Sequence, residues 1–271
     1  MSELRIGVWG GGGRMGRALI RAASEANDIK IVGAFDRPEA EGLGKDVGLL
    51  AGIGPIGIPL RSGLSDEAFD VIIDFSSPQG TATLLENARK RKIPLVIGTT
   101  GLDAGLESAI REAGRELPIV LSPNMSVGVA VLLHLATQGA RLLGADFDIE
   151  IVEMHHRFKA DAPSGTALAL AKALAEVRGL GNDALRTARE GRVGPRPREE
   201  LGVFAVRGGD VVGEHTVLLM GFGERLELTH RAFDRMLFAW GALRAARWVV
   251  RQAPGCYGTR DVLGLGAQGN P

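Results

Sequence analysis

The chain has 271 residues, enough to bury a full core without disulfide or metal staples and to form one large or two modest domains. Lysines and arginines balance aspartates and glutamates at 32 each, so no overall field draws the chain to nucleic acid or an anionic membrane, and a small-molecule partner is expected. A single cysteine, Cys256, excludes an internal disulfide framework. With no basic neighbour in sequence it reads as inert, and no Cys/His cluster predicts a metal site. No run of about 18 apolar residues escapes charges or breakers, and residues 1–6 lack the basic-then-apolar form of a signal peptide, so a cytoplasmic chain without membrane association is expected.

In chain order, the first half alternates short apolar runs with helical patterns, the sequence form of βαβ units around a mostly parallel sheet. Residues 4–9 form the first run. Met15, Ala18, Leu19, Ala22, Ala23 and Ala26 then recur at the spacing of one apolar helical face. Further strands are predicted at 29–35, 71–75, 95–97 and 119–121, rich in the β-branched residues of doubly buried strands. The small and polar residues that follow three of them, at 76–78, 98–101 and 122–124, then lie at the strand ends where open α/β sheets bind ligands.

From about residue 126 the pattern changes. A long helix at 127–143, a strand at 148–153 and a helix at 166–177 precede three runs, 201–206, 216–220 and 225–230, that read as an antiparallel meander in an α+β domain. A last helix is predicted near 234–251. Residues 186–200 carry five arginines, two prolines and no apolar period, and are expected to be an exposed mobile loop. No internal repeat is present.

Gly10, Gly11, Gly12, Gly13, Arg14, Met15 and Gly16 follow a strand and open a helix, the context a dinucleotide fingerprint requires. Glycines let the backbone turn tightly and approach a pyrophosphate, whose charge amides at the helix N-terminus stabilise. Asp36, at the end of the next strand, is placed to accept hydrogen bonds from ribose hydroxyls, and Arg37 beside it to grip a 2′-phosphate. NADH and NADPH both fit.

The second chemical stretch is residues 153–167. His155, His156 and Lys159 crowd three potentially cationic groups into one short loop, which an anionic substrate would compensate. Pro163 disfavours helix at Ala162, so a helix starts near Ser164 or Gly165, and its amides with the Ser164 and Thr166 hydroxyls form a carboxylate site. Plain capping by Ser164 and Thr166 is an alternative compatible with binding. A metal held by the two histidines lacks an acidic or cysteine partner at ligand spacing, and neighbours on an extended chain point to opposite sides. His134 is expected to be structural, and His215 and His230 lie on predicted strands without an assigned role.

GGGGRMGR from Gly10, the Asp74-Phe75-Ser76 and Gly98-Thr99-Thr100-Gly101 turns, the run 123–129, the run 153–167 with its HHxxKxDAPSGTA pattern, and residues 206–216 together resemble the 4-hydroxy-tetrahydrodipicolinate (dihydrodipicolinate) reductases of bacterial diaminopimelate and lysine synthesis, over nearly the whole chain. The resemblance implies a Rossmann-type doubly wound parallel sheet over residues 1–125. It also implies a smaller α+β substrate-binding and tetramerisation domain over 126–235, and a C-terminal segment, 236–271, whose helix returns to the first domain. It implies a homotetramer and an oxidoreductase that passes hydride from NADH or NADPH to a small cyclic imine dicarboxylate. His155 would be general acid/base and Lys159 proton donor, with His156, Ser164, Gly165 and Thr166 at the substrate carboxylates. Gly10 to Met15, Asp36 and Arg37 would hold the dinucleotide, with Gly98, Thr99 and Thr100 near its nicotinamide end and Ser122, Pro123, Asn124 and Met125 also on the cofactor, at the domain junction. Asp36 stands where many members carry glutamate, so the choice between NADH and NADPH stays open. Two other readings are a related reductase acting on another amino-dicarboxylate and a catalytically silent dinucleotide sensor, against which the intact His155, His156 and Lys159 count.

Overall fold

The computed structural model describes residues 3–265. In chain order the elements are β1 (Leu4–Trp9), α1 (Arg14–Glu25), β2 (Ile29–Phe35), α2 (Val47–Ala51), β3 (Leu60–Arg61), β4 (Val71–Asp74), α3 (Pro78–Arg91), β5 (Leu95–Ile97), α4 (Ala104–Ala113), β6 (Pro118–Leu121) and α5 (Val127–Leu143). They continue with β7 (Asp148–His155), α6 (Gly165–Arg178), β8 (Leu185–Arg186), β9 (Leu201–Arg207), β10 (Gly213–Gly221), β11 (Glu224–Ala232), α7 (Met236–Val249), β12 (Gly255–Tyr257) and α8 (Thr259–Val262). The chain divides into two compact units, one of residues 1–127 with 236–271 and one of residues 128–235.

The first unit is a seven-stranded sheet in the order β12-β6-β5-β4-β1-β2-β3, with every pair parallel. From β1 the chain steps outward through β2 to β3, then returns to the other side of β1 to lay down β4. This reversal puts a switch point between β1 and β4, where sheets of this kind receive ligands at the strand C-termini. Both faces are covered: Val8, Ile73, Val96 and Val120 pack under α1 and α7, while Ile72, Leu95, Ile97 and Ile119 pack under α3 and α4. That double burial is why the strands read as continuous apolar runs. α7 lies against α1, and the Arg247 guanidinium donates two 2.7 Å bonds to Asp28 just beyond α1.

The second unit is a mixed five-stranded sheet, β11-β10-β7-β9-β8, covered on one face by α5 and α6. The meander expectation is corrected here. β10 and β11 do form an antiparallel hairpin, but β9 is not next to β10: β7 lies between them, antiparallel to β10 and parallel to β9. The cause is a β7–α6–β9 crossover, since a strand that follows a covering helix returns parallel to the one before it. Leu132, Ala136, Ala140, Leu170 and Leu174 of the helices meet Ile149, Ile151, Val203, Val217 and Leu219 of the sheet. By length and hydropathy alone residues 127–146 are able to span a membrane, but the stretch holds Arg141 and Asp146, and its Leu132, Ala136 and Ala140 are buried in that core.

The 186–200 segment is exposed over most of its length, as expected, but two of its arginines are anchored. Arg189 joins the buried carboxylates of Glu150 and Glu200, and Arg196 reaches Glu150 at 2.8 Å and Asp148 at 2.7 Å. Arg189 and Arg196 are thus drawn in by Glu150, about 40 residues away in sequence, which composition does not reveal. The C-terminal part also holds a strand that had no signal: β12 extends the parallel sheet beside β6 and carries Cys256, half-buried and reduced.

Candidate active site

The residues expected to carry the chemistry fall into two sets, one in each unit. In the first, Gly10 leaves β1 in a left-handed turn (φ 82°), and a side-chain carbon there would lie 2.6 Å from the Phe75 carbonyl oxygen at the end of β4. Gly16 is tighter, because its Cβ would meet the Gly10 carbonyl oxygen at 2.2 Å. The loop therefore folds back on itself where only hydrogen fits.

Its amides are largely committed. Gly10 and Gly11 donate to the Phe35 carbonyl at 2.8 and 2.9 Å, Gly12 to Oδ2 of Asp36 at 2.9 Å, and Gly13 to the Gly10 carbonyl at 3.1 Å. The amides that open α1 are those of Arg14, Met15 and Gly16, and no N-cap side chain covers them, which leaves this terminus suited to a phosphate. Asp36 thus has a structural role in holding the glycine turn through Gly12, and its other oxygen accepts the Arg37 amide at 2.8 Å. The Arg37 side chain is exposed.

At the end of β4, buried Asp74 accepts bonds from the Ser76 hydroxyl at 2.6 Å and the Thr81 hydroxyl at 2.5 Å, while the Ser76 amide reaches Oγ1 of Thr99 at 3.0 Å. Burial pushes the Asp74 carboxyl up, against the opposing pull of those hydroxyls. Gly98 packs its bare α-carbon on the Phe75 ring, where an added Cβ would come within 2.3 Å. Thr99, Thr100 and Pro123 share the rim of a cleft of about 410 Å³ with Arg111 and Tyr257. Ser122 donates to the Asn124 carbonyl and accepts from Thr259. The Met125 side chain is buried in the apolar core, so of the residues expected here it offers only its backbone.

In the second unit the centre of the cluster is Glu153, fully buried on β7. Arg207, at the end of β9, forks onto it with two bonds of 2.7 Å. Nδ1 of His155 lies 2.6 Å from Oε2, and the Ser164 amide donates to Oε1 at 3.0 Å. Burial works to raise the Glu153 carboxyl, but Arg207, His155 and the Ser164 amide together hold it below the usual range, so it is ionised and accepts only. Nδ1 of His155 must therefore carry the hydrogen, which leaves Nε2 as the open nitrogen. Burial lowers the His155 pKa, with Glu153 opposing and Lys159 and Arg207 adding to the drop.

Ser164 is the N-cap of α6: its hydroxyl accepts the Ala167 amide at 3.2 Å and lies 3.1 Å from Nε2 of His215. His215 stands edge-on to His155 with ring centres 5.2 Å apart, and burial first, then the neighbouring His155, push it down to about 4. Lys159 pairs with Asp161 at 2.8 Å, while Arg207 also donates to the Asp161 carbonyl at 2.7 Å and so ties the loop to β9. Gly165 faces open space at the start of α6, and Thr166 is partly buried in its first turn. The His156 ring sits beside Phe158, with Nδ1 buried and without a hydrogen-bond partner among the described residues. His134 lies on α5 away from this network, and no group of three or more metal-binding side chains occurs among the described residues.

Glu153, Arg207 and His215 had no assigned role in the sequence. Their signal is the strand register, in which His155 pairs with Arg207 across β7–β9 and Glu153 with His215 across β7–β10. Period-two alternation puts 153 and 155 on one face, but only the pairing reveals their partners.

Family models described as dihydrodipicolinate reductase, N-terminus and C-terminus, match residues 4–125 and 128–263 respectively. The 4-hydroxy-tetrahydrodipicolinate reductase of Alkalilimnicola ehrlichii is 50% identical over 266 residues, covering 96% of this chain and 99% of its own. That of Myxococcus xanthus is 46% identical over 266 residues, covering 97% and 98%. Among solved structures, a dipicolinate-bound dihydrodipicolinate reductase from Paenisporosarcina sp. TG-14 shares the fold with a TM-score of 0.76 at 24% identity, covering 96% of this chain and 98% of that one. A myo-inositol dehydrogenase from Corynebacterium glutamicum shares it more loosely, at TM-score 0.58 and 15% identity over 93% and 90%.

Proposed function

The chain belongs to the dihydrodipicolinate reductase family, and from that premise we propose that it reduces 4-hydroxy-tetrahydrodipicolinate to tetrahydrodipicolinate with NADH or NADPH, a step of diaminopimelate and lysine synthesis. The observation that carries this reading is the His155 arrangement: an imidazole whose Nδ1 is engaged by an ionised Glu153 and whose Nε2 is open, with the Lys159 ammonium in the same loop. Reduction of a conjugated imine needs a hydride and a proton. When bound, the dinucleotide supplies the hydride.

The glycine loop fits the dinucleotide, because its approaches exclude side chains and the N-terminus of α1 is uncapped. Arg14, Met15 and the turn at Gly10 to Gly13 hold the pyrophosphate, Asp36 and Arg37 the adenosine side, and Gly98 to Thr100 with Ser122 to Met125 the nicotinamide side. In the second unit the open start of α6, with Gly165, Thr166 and Ser164, receives one substrate carboxylate, and His156 contributes to the other. Lys159 delivers the proton, and His155 exchanges one at Nε2. The acid side chain nearest the lysine, Asp161, competes for it until an anionic substrate arrives.

We assign the enzyme to the cytoplasm and to a homotetramer. Supporting the assembly, the sheet face away from α5 and α6 is an only partly buried row of Val152, Met154, Phe204, Val206, Leu218 and Met220, a surface suited to another copy. The direct test couples the purified protein to a synthase that generates its substrate and follows NAD(P)H absorbance. Oxidation that depends on the synthase is expected. Its absence with both cofactors overturns the assignment.

A further inference from the structure

Glu153 is the most heavily bonded carboxylate of the second unit among the described residues, and the roles given so far to His155 and Lys159 do not require it to be a glutamate. Both of its oxygens are bonded, to three elements at once: Arg207 at the end of β9, the Ser164 amide at the start of α6, and Nδ1 of His155 on its own strand. The other ring nitrogen makes no hydrogen bond among the described residues. Gly213 of β10 passes so close that a Cβ there would lie 3.0 Å from Nε2 of His155, and without one that nitrogen keeps its access.

We propose that Glu153 is a positioning residue for proton exchange: it holds His155 with the hydrogen on Nδ1 and the lone pair on Nε2, while Arg207 sets how much of the Glu153 charge the imidazole feels. The inference rests on the reading of His155 as a proton-exchanging group. A carboxylate bound to one nitrogen of a histidine selects the tautomer and ring orientation of the other. An unshielded carboxylate at 2.6 Å would also hold the imidazolium strongly. Here the guanidinium binds both Glu153 oxygens, and burial first, with Lys159 and Arg207 adding to it against Glu153, leaves His155 easier to deprotonate than a free histidine.

The groups that face His155 are Glu153 on β7, Arg207 on β9, His215 on β10 with His230 opposite it on β11, and Lys159 and Asp161 in the loop. Two substitutions among these have opposite signs. Glu153→Gln removes the charge that favours imidazolium, so the His155 limb of the kcat/KM profile moves to lower pH. Arg207→Gln removes the charge that disfavours it, so the limb moves to higher pH. Each shift is expected to be about one pH unit. Glu153→Gln is also expected to lower kcat about 10- to 100-fold through loss of the tautomer, with dinucleotide affinity unchanged.

A second readout needs no substrate. In protein labelled with 15N-histidine, with His155 assigned by difference from His155→Asn, the neutral ring should show a protonated Nδ1 and a bare Nε2. Its titration should move down in Glu153→Gln and up in Arg207→Gln. Circular dichroism establishes that each variant is folded, and if Glu153→Gln is not, the wild-type tautomer and Arg207→Gln still decide. A wild-type ring protonated on Nε2, shifts of the same sign, or correct shifts with unchanged kcat would each overturn the proposal. Correct nitrogen shifts in a protein that oxidises no NAD(P)H would instead overturn the reductase reading alone.

Discussion

The two residue sets proposed for the reaction, one in each unit, are built from opposite materials. The half proposed for the dinucleotide is backbone: glycines that admit no Cβ, amides bonded to carbonyls, and an uncapped helix start. The half proposed for the substrate is side chain: one buried carboxylate gathers an arginine, an imidazole and a helix amide, with a second imidazole and a lysine beside it. A phosphate needs only aimed N–H groups, which every residue supplies, and so that half is specified by what is missing from it. Moving protons needs groups of chosen acidity, which only side chains in chosen surroundings supply.

Substitutions that add an atom should therefore damage the first half, and substitutions that remove a charge the second. The largest effect is expected for Lys159→Ala, with kcat down about 10²- to 10⁴-fold and dinucleotide affinity nearly unchanged; an unaltered rate removes Lys159 from the mechanism. Next comes Gly16→Ala, whose Cβ would stand 2.2 Å from a backbone oxygen that has no room to yield. Dinucleotide affinity by fluorescence titration should fall at least about 10-fold, equivalent to about 1.4 kcal/mol. Gly13→Ala, where the nearest atom is 3.3 Å away, is the control and should change affinity by less than about threefold. Equal losses at the two positions would show that the tight approach at Gly16 is not what matters.

Arg37→Ala should weaken NADPH about 10-fold and NADH hardly at all, and equal losses would take Arg37 away from the 2′-phosphate. The smallest effect concerns stability. His215 is held down to about 4 in the folded chain against 6.5 as a free side chain. Between those values the unfolded chain binds a proton that the folded chain refuses, so stability is full above about pH 6.5 and falls as pH drops toward 4. Melting temperature should decline through this window, and less steeply in His215→Gln; identical slopes would exclude His215 as the source.

Both the βα alternation and the glycine fingerprint were legible in sequence, because each depends on neighbours within one or two turns of chain. The expected strands at 29–35 and 95–97 coincide with β2 and β5, while β3, β8 and β12 (Leu-Arg, Leu-Arg and Gly-Cys-Tyr) lack the apolar β-branched run that marks even the three-residue β5. His155 and Lys159 were legible as chemistry by residue type and proximity. Arg207 and His215 were not, since they stand 54 residues or more from Glu153 and are ordinary residue types until strand pairing places them. The same reason explains part of the 186–200 segment: its arginines suggest a solvated loop until Glu150 and Glu200 are found beside Arg186, Arg189 and Arg196.

What sequence alone determined is the class of fold, the glycine turn that opens α1 and the crowding of titratable side chains into one loop, all of which follow from local pattern and from side chains of distinctive chemistry. What only the tertiary structure decided is the setting of those groups: β7 inserted between β9 and β10, Glu153 shut away from water, and a single open nitrogen on His155. Sheet order and burial are properties of contacts between distant segments, and the acidity of a side chain is decided by those contacts rather than by its neighbours along the chain.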